Sequence, residues 1–254
     1  MIPNIIHFVF GLKEQTEDFL FCYYLAIYSA YLVNLPDKIF FYYHYTPKGD
    51  WWDKTLQIPN LVLEKVNIPT HIGKKNIIKL AHKADKVRMD KLNERGGIYM
   101  DIDTISYRSY KHLLDNKVVL GKQVPYIGIC NAIMMSEPKS EFFKIWIDNY
   151  EDKFKPTGWN ESSIDLPYKL SLDYPELLTV MNPETFFVPS YTQTAKIFTG
   201  DENISTDLIS LHLWEQKSIK YIENINEWEW ATENKNTLYG KIMLHLISLK
   251  NKFT

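Results

Sequence analysis

The feature that most constrains the fold is the alternation of short apolar runs with segments of helical period. Residues 5–10 form a short apolar run typical of a buried strand. Residues 19–33 have the character of a long buried helix, which Pro36 would stop. Further strands are predicted over 38–45 and 61–66. Because strands that alternate with helices build a largely parallel sheet, we expect an α/β fold with a central mostly parallel sheet flanked by helices.

Within this pattern, one helix leads almost directly into an acidic strand. Residues 74–95 carry apolar side chains at helical spacing, and the Gly-Gly pair at 96–97 supplies a stop. The next segment, 98–103, is predicted to be a strand that ends in Asp-x-Asp. Since side chains alternate between the two faces of a strand, we expect Asp101 and Asp103 to share one face.

Two carboxylates at a strand end repel each other and are costly to desolvate, so a divalent cation is the natural compensation. Hard oxygen ligands of this kind suit Mg²⁺ or Mn²⁺. In an open parallel sheet, ligands bind at the carboxyl ends of the strands, where this pair is predicted to lie. The tripeptide is common, however, and its alternative interpretation is two solvated acids at a strand exit.

The preceding helix adds a second charged pair. Asp85 and Arg88 are neighbours at three-residue spacing. The alternative here is an exposed salt bridge, which is frequent and weak. Because only a Gly-Gly turn separates this helix from the acidic strand, the charged helix face is expected to reach the same cleft.

The composition limits the partners of this chain. Its formal net charge of −2 provides no basic footprint for neutralising phosphates, which excludes nucleic acid as a partner. Two cysteines are too few for a disulfide framework. The most apolar stretch, 19–33, is too short to span a bilayer, and no basic signal-peptide region precedes it. We therefore expect a cytoplasmic protein without a membrane segment.

Together these residues resemble a known enzyme family. The segments Leu80-Ala-His-Lys-Ala-Asp85-Lys-Val-Arg88 and Gly96-Gly97-Ile-Tyr99-Met-Asp101-Ile-Asp103 are similar to the glycosyltransferases with a DXD-type sugar-binding region. Yeast-type initiating mannosyltransferases and the large clostridial glucosylating toxins share this pattern. The ordered combination of Asp, Arg, Gly-Gly, Tyr and Asp-x-Asp is more specific than any of its pieces.

The resemblance implies a Rossmann-like A-type glycosyltransferase fold and a single catalytic domain over 1–254. The nucleotide-sugar part is expected over 1–135, and the acceptor side with a closing motif over 136–254. The implied reaction moves a hexose or N-acetylhexosamine from a nucleoside diphosphate sugar to a glycan or protein acceptor. A UDP-sugar is favoured over a GDP-sugar, Mn²⁺ or Mg²⁺ is the expected cofactor, and relatives suggest retention of configuration.

The resemblance also implies roles for individual residues. The metal site would combine Asp101, Asp103 and His212, with Asp103 as the direct ligand. The catalytic residues would be Asp85, Arg88, Asp101 and Asp103. The donor-binding residues would be Val9, Phe10, Leu80, Tyr99, Asn131 and Trp214.

Several of these assignments have a plain structural alternative. Phe10 takes the place of a Trp that usually stacks on the nucleotide base, and its alternative is ordinary core packing. For Asn131 the alternative is a turn residue. His212 and Trp214 belong to a segment similar to the family's closing motif, yet a lone His is more often structural than a ligand. Ser218 is a weaker member of that motif, because its spacing differs from the usual one.

Alternatives also exist for the function as a whole. The same acids would serve a nucleotide-sugar hydrolase or another Mg²⁺-dependent phosphate enzyme. Outside enzymes, the alternative is an inactive carbohydrate-binding or scaffold protein of the same fold. On the acceptor side, the family's Thr-Gly-Pro segment is replaced by Thr157-Gly158-Trp159. Acceptor specificity is expected in the loops 156–168 and 192–206.

Overall fold

The computed structural model describes residues 1–253. Its strands are β1 (Ile5–Val9), β2 (Lys38–Tyr43), β3 (Leu61–Lys65), β4 (His71–Ile72), β5 (Lys75–Asn76), β6 (Gly97–Met100), β7 (Thr104–Ser106), β8 (Val118–Gln123), β9 (Gly128–Ser136), β10 (Thr179–Met181) and β11 (Ser210–His212). Its α-helices are α1 (Phe21–Asn34), α2 (Asp50–Thr55), α3 (Leu80–Arg95), α4 (Glu141–Lys153), α5 (Leu166–Asp173), α6 (Pro183–Phe186), α7 (Ala195–Thr199), α8 (Glu215–Ile222), α9 (Trp230–Glu233) and α10 (Leu238–Phe253). A π-helical turn, Glu161–Asp165, precedes α5.

Seven strands form the central sheet in the order β10-β8-β9-β6-β1-β2-β3. Only β9 pairs antiparallel with its neighbours in this sheet, and the remaining pairs are parallel. Two small antiparallel pairs, β4 with β5 and β7 with β11, lie outside it. The expected mostly parallel sheet is therefore confirmed.

Helices cover both faces of the sheet. Successive strand residues point to opposite faces, and the apolar side chains on each face pack against helices. Ile6 and Ile98 are fully buried in a core cluster that includes residues of α1 and α10. Tyr42 and Tyr99 belong to a second cluster, which includes residues of α3 and α4. The sheet is thus buried on both faces, as parallel strands require.

The predicted Gly-Gly turn connects α3 to β6. Gly96 and Gly97 have φ values of +66° and +103°, which L side chains rarely adopt. A Cβ on Gly97 would also lie 2.6 Å from the carbonyl oxygen of Ile5. The turn delivers the chain from the helix into the centre of the sheet, and it fixes the helix beside the strand.

Two boundaries near the site differ from the sequence expectation. The helix predicted over 74–95 begins at Leu80, because the β4–β5 hairpin turns through Gly73 and occupies the preceding residues. The strand predicted over 98–103 ends at Met100. The chain turns after it, and the backbone N–H of Thr104 donates to the Asp101 carbonyl at 3.0 Å.

Asp101 and Asp103 therefore lie after the strand, and the prediction that strand alternation places them on one face is wrong. The two acids meet because a turn, and not an extended strand, connects them. Within residues 1–253, no helix is long and apolar enough to cross a membrane.

Candidate active site

A cavity of about 960 Å³, here called the main cavity, lies where β1 and β6 end. This is the edge at which open parallel sheets bind ligands. It collects every predicted site residue except Phe10, namely Val9, Leu80, Asp85, Arg88, Tyr99, Asp101, Asp103, Asn131, His212 and Trp214. The residues chosen from sequence thus come to one place from β1, α3, β6, β9, β11 and the segments that directly follow β6 and β11.

Arg88 is the hub of the charged residues in this cavity. Its Nη1 lies 3.0 Å from Asp101 Oδ1 and donates to the Asn131 carbonyl at 2.9 Å. Its Nε lies 3.6 Å from Asp85 Oδ1, and its guanidinium stacks 4.6 Å from the centre of the Tyr99 ring. Because Arg88 and Asp85 are both buried, their pair is not an exposed salt bridge.

Asp85 and Asn131 contact each other on the wall of the cavity. The Asn131 amide donates to Asp85 Oδ1 at 2.7 Å, and the Tyr150 hydroxyl donates to Asp85 Oδ2 at 3.4 Å. Asn131 lies within β9, so its interpretation as a turn residue is wrong. These contacts fix the Asp85 carboxylate on the cavity wall.

The carboxylates of the DXD motif have different surroundings. Asp101 contacts Arg88 and the Tyr99 hydroxyl, which donates at 2.6 Å, through its Oδ1 atom. Asp103 Oδ1 lies 3.2 Å from His212 Nε2, and Asp103 Oδ2 accepts the backbone N–H of Glu215 at 2.7 Å. One carboxylate is thus held from the helix side and the other from the C-terminal third of the chain.

These surroundings shift the pKa values of Asp101, Asp103 and His212. Burial raises the pKa of the Asp101 carboxyl, and Arg88 offsets only part of this effect. Burial acts on Asp103 in the same direction, but His212 and the Glu215 N–H hold the pKa of that carboxyl below its usual range. Burial alone would lower the pKa of His212, whereas the Asp103 carboxylate raises it above its usual value. Asp103 is therefore an anion at neutral pH.

The donor atoms of Asp101, Asp103 and His212 can face one cation. One ligand atom from each of these residues lies within 4.8 Å of the others. The Nδ1 atom of His212 is buried and has no hydrogen-bond partner within the described residues. Two carboxylates and an imidazole with an unsatisfied nitrogen form a donor set that fits a divalent cation.

The β7–β11 pair brings His212 and Trp214 to the cavity. Trp214 has φ 57° and ψ 52°, a left-handed conformation that costs a bulky residue on the order of 1–2 kcal/mol. Its indole N–H donates to the Pro189 carbonyl at 2.9 Å, and its ring lies 4.2 Å from that of His212. Ser218 donates to the Leu213 carbonyl at 2.6 Å, so its side chain supports this turn from behind.

Phe10 lies apart from this set. It packs at 5.2 Å against Phe19 and at 5.1 Å against Tyr23. It lines a second cavity of about 700 Å³, in which Glu215 is the residue shared with the main cavity. Stacking of Phe10 on the base of the donor nucleotide therefore stays a prediction. If Phe10 has this role, the base lies in the second cavity.

Several cavity residues are given no role by the sequence. Ala81, His82, Ala84 and Ile102 lie inside the two segments that resemble the family, and residues 159–164 lie in the loop in which acceptor specificity is expected, but no pattern singles them out. Glu215 accepts the Tyr23 hydroxyl at 2.6 Å, and burial raises its pKa. Its position directly after the His/Trp motif is the one signal that was available. The other missed lining residues are Lys79, Ala81, His82, Ala84, Ile102, Gln123, Tyr126, Cys130, Ala132, Trp159, Asn160, Ser163, Ile164, Tyr191, Gln216 and Lys217.

Comparison with known families agrees with this geometry. Residues 15–120 match the family described as "Glycosyltransferase sugar-binding region containing DXD motif". The curated protein "Glucan organizing enzyme 1" of Cryptococcus neoformans var. grubii is 30% identical over 273 residues, which covers 100% of this chain and 73% of that protein.

Solved structures share the fold. The apo form of the glycosyltransferase GlyE of Streptococcus pneumoniae TIGR4 superposes with a TM-score of 0.54 at 14% identity, covering 97% of this chain and 63% of that one. The PaToxG glycosyltransferase has a TM-score of 0.50 at 15% identity, with coverages of 95% and 87%. At these identities the likeness shows the architecture alone.

Proposed function

This chain belongs to the glycosyltransferases with a DXD-containing sugar-binding region, and we propose that it transfers a hexose or N-acetylhexosamine from a UDP-sugar to a glycan or protein. The observation that supports this proposal best is the meeting of Asp101, Asp103 and His212 within 4.8 Å of one another. Arg88 adds a buried cation beside them. The transfer requires acidic ligands that hold a metal ion and a positively charged side chain that binds the diphosphate.

We propose that the cation is held by Asp101, Asp103 and His212 and that Mn²⁺ fits better than Mg²⁺. Mg²⁺ takes oxygen ligands in a strict octahedron, whereas this site includes the imidazole of His212. When bound, the metal would neutralise charge on the departing diphosphate.

The protein side chains perform the remaining tasks in this proposal. Arg88 binds the diphosphate, since its cation is buried and oriented by two carboxylates. Asp85, fixed by Asn131, binds hydroxyl groups of the donor sugar. His212 and Trp214 close the cavity and exclude water, which strengthens these electrostatic contacts.

The name of the curated relative favours a carbohydrate polymer as the substrate. That relative is called a glucan organizing enzyme. We propose that the present chain likewise acts on a glucan or a related polysaccharide, with retention of configuration as the resemblance implies. The catalytic unit is proposed to be the single domain 1–254.

Calorimetry with UDP, GDP and their sugars, with and without Mn²⁺, tests the donor site. We expect one nucleotide class to bind wild type only when Mn²⁺ is present. Asp103→Asn should weaken that binding by roughly 100-fold, because it removes an anionic ligand. Asp90→Asn is the matched control, since Asp90 lies on the same helix α3 but is paired with Lys86 at 2.6 Å on the surface.

Each contrary result has a distinct meaning. Nucleotide binding that does not depend on metal, or that survives Asp103→Asn, contradicts the metal site. If no nucleotide binds under any condition, the inactive scaffold takes the place of the transferase. Sugar release from the donor at the same rate with and without acceptors would indicate a hydrolase.

A further inference from the structure

The main cavity also carries an aromatic wall that the proposed chemistry does not use. Trp159 is 51% exposed, which makes it the most exposed of the seven tryptophans, and Tyr126 is 42% exposed. Both side chains line the cavity that contains the DXD motif. Large aromatic surfaces left in water are costly, so a pair of them in a functional cavity points to a ligand.

Trp159 is held in place by its neighbours. The Lys79 ammonium donates to the carbonyls of Thr157 at 2.7 Å and Gly158 at 2.6 Å, and it lies 5.0 Å from the Trp159 ring centre. The backbone N–H of Trp159 donates to the Glu161 carboxylate at 2.9 Å. Because its backbone is already fixed, the ring binds a ligand without a large ordering cost.

The segment that carries Trp159 is anchored to the central sheet. The π-helical turn Glu161–Asp165 packs on β9, and the indole of Trp146 donates to the Ser162 carbonyl at 2.9 Å. Across the turn, the Tyr126 hydroxyl donates to Asp165 at 2.6 Å. Tyr126 and Trp159 are therefore both hydrogen-bonded to the same helical turn.

Lys79 immediately precedes α3, which also carries Asp85. Six residues of helix correspond to about 9 Å along the axis. Because the Lys79 ammonium lies beside the Trp159 ring, the aromatic wall lies towards the N-terminal end of α3, to one side of the carboxylate that is proposed to bind the donor sugar.

We propose that Trp159 and Tyr126 form the acceptor subsite and that the acceptor is a neutral glycan chain. This inference rests on the proposed function. A pyranose ring has a face of C–H groups that packs on an aromatic ring, and the same cavity is lined by the polar side chains of Asn160 and Gln123, which can bond its hydroxyls. The wall is made of a loop and a helical turn, so it presents no strand edge on which an extended peptide could pair.

Binding of laminarihexaose, maltohexaose and chitohexaose, measured calorimetrically in the presence of UDP and Mn²⁺, tests the subsite. We expect at least one of these sugars to bind wild type. Trp159→Ala should weaken that binding about tenfold, and Trp159→Phe should retain most of it, because a ring face remains. Tyr174→Ala is the control, since Tyr174 is an exposed tyrosine outside the cavity lining.

UDP binding is measured on the same variants to separate the two proposals. Unchanged UDP affinity in Trp159→Ala together with weakened sugar binding supports the subsite. Equal loss of both ligands would make Trp159 part of the donor site, and unchanged sugar binding would leave it without a role; either overturns the inference. Wild type that binds UDP but binds only a Ser/Thr-rich peptide, or none of the sugars, also overturns it. Failure of wild type to bind UDP instead removes the proposed function itself.

Discussion

The main cavity has an acidic part, formed by Asp85, Asp101 and Asp103, and an aromatic part, formed by Tyr126 and Trp159. In the acidic part each carboxylate has a polar partner, since Arg88 contacts Asp85 and Asp101 and His212 contacts Asp103. In the aromatic part the rings are open to solvent and only their backbone and hydroxyl groups are tied down. The first arrangement is built to hold charge at fixed points, and the second offers a surface that tolerates different ligands.

This contrast predicts that substitutions in the acidic part reduce both stability and donor binding. Arg88→Met removes the buried cation and leaves two carboxylates without their partner. We expect the free energy of unfolding to fall by about 3 kcal/mol and nucleotide binding to be lost. Urea denaturation and calorimetry measure the two effects.

A second substitution separates the electrostatic cause from a loss of packing. Adding Asp101→Asn to Arg88→Met removes one of the stranded charges, so part of the lost stability should return while nucleotide binding stays absent. If the double variant is less stable than Arg88→Met, the carboxylates do not need the Arg88 charge for stability. The electrostatic difference between the acidic and the aromatic part then disappears.

The sheet beneath the acidic part should also be sensitive to acid. Burial lowers the pKa of His7 from 6.5 to about 4, and the ring contacts the Tyr42 hydroxyl at 2.9 Å and the Gly96 carbonyl at 2.7 Å. The unfolded chain therefore binds more protons than the folded chain between these pH values. Stability is lost as the pH falls from 6.5 towards 4, by about 2 kcal/mol at pH 5.

Denaturant unfolding at pH 7.5 and pH 5 checks this effect. His7→Asn should be less stable at pH 7.5, yet it should lose about 2 kcal/mol less than wild type between the two pH values. His7→Asn should keep a smaller dependence of stability on pH, which comes from His82 and His245, because burial lowers the pKa of both. Equal pH slopes for wild type and His7→Asn would show that His7 accepts a proton without unfolding.

The same contrast explains what the sequence could predict. Helix α3, its Gly-Gly stop and strand β6 depend on local patterns, so the positions of Asp85 and Arg88 followed from periodicity and turn chemistry. The meeting of Asp103 with His212 depends on pairing between β7 and β11, which no local pattern indicates. For His212, resemblance to a family supplied what physical reasoning from the sequence could not.

The sequence predicts the aromatic part only in outline, because Trp159 lies in the loop 156–168 in which acceptor specificity is expected, while Tyr126 lies outside both of the predicted loops. Trp159 replaces the residue that the family pattern has at this position, and its exposure depends on how the π-helical turn packs on β9. Strand alternation likewise failed at Asp101 and Asp103, because the turn after Met100 is set by hydrogen bonds to β9 and to Thr104.

A glycine under the aromatic part offers a more moderate test. A Cβ on Gly128 would overlap Cγ2 of Ile164 in the π-helical turn. Gly128→Ala should therefore shift the turn, lower stability by about 1–2 kcal/mol and weaken oligosaccharide binding while UDP binding is retained. Gly200→Ala is the control, because its nearest neighbour would lie at an ordinary 3.5 Å. Loss of UDP binding in Gly128→Ala would mean that a shift in the aromatic part also displaces the acidic part.

The smallest effect is expected at Lys79, which joins the two parts. Lys79→Met keeps the apolar stem but removes the bonds to the Thr157 and Gly158 carbonyls. Because Trp159 keeps its own backbone contact to Glu161, oligosaccharide binding should fall only about threefold, as expected for a partly exposed hydrogen bond.

Lys75→Met is the matched control, since the Lys75 ammonium also donates to backbone carbonyls, those of Glu151 at 2.6 Å and Phe154 at 3.0 Å, but lies outside the cavity lining. Calorimetry should show no change in oligosaccharide binding for this variant. A loss at Lys79→Met as large as that at Trp159→Ala would mean that the ammonium itself contacts the ligand. The aromatic part would then recognise charge as the acidic part does, and an anionic acceptor would replace the neutral glycan.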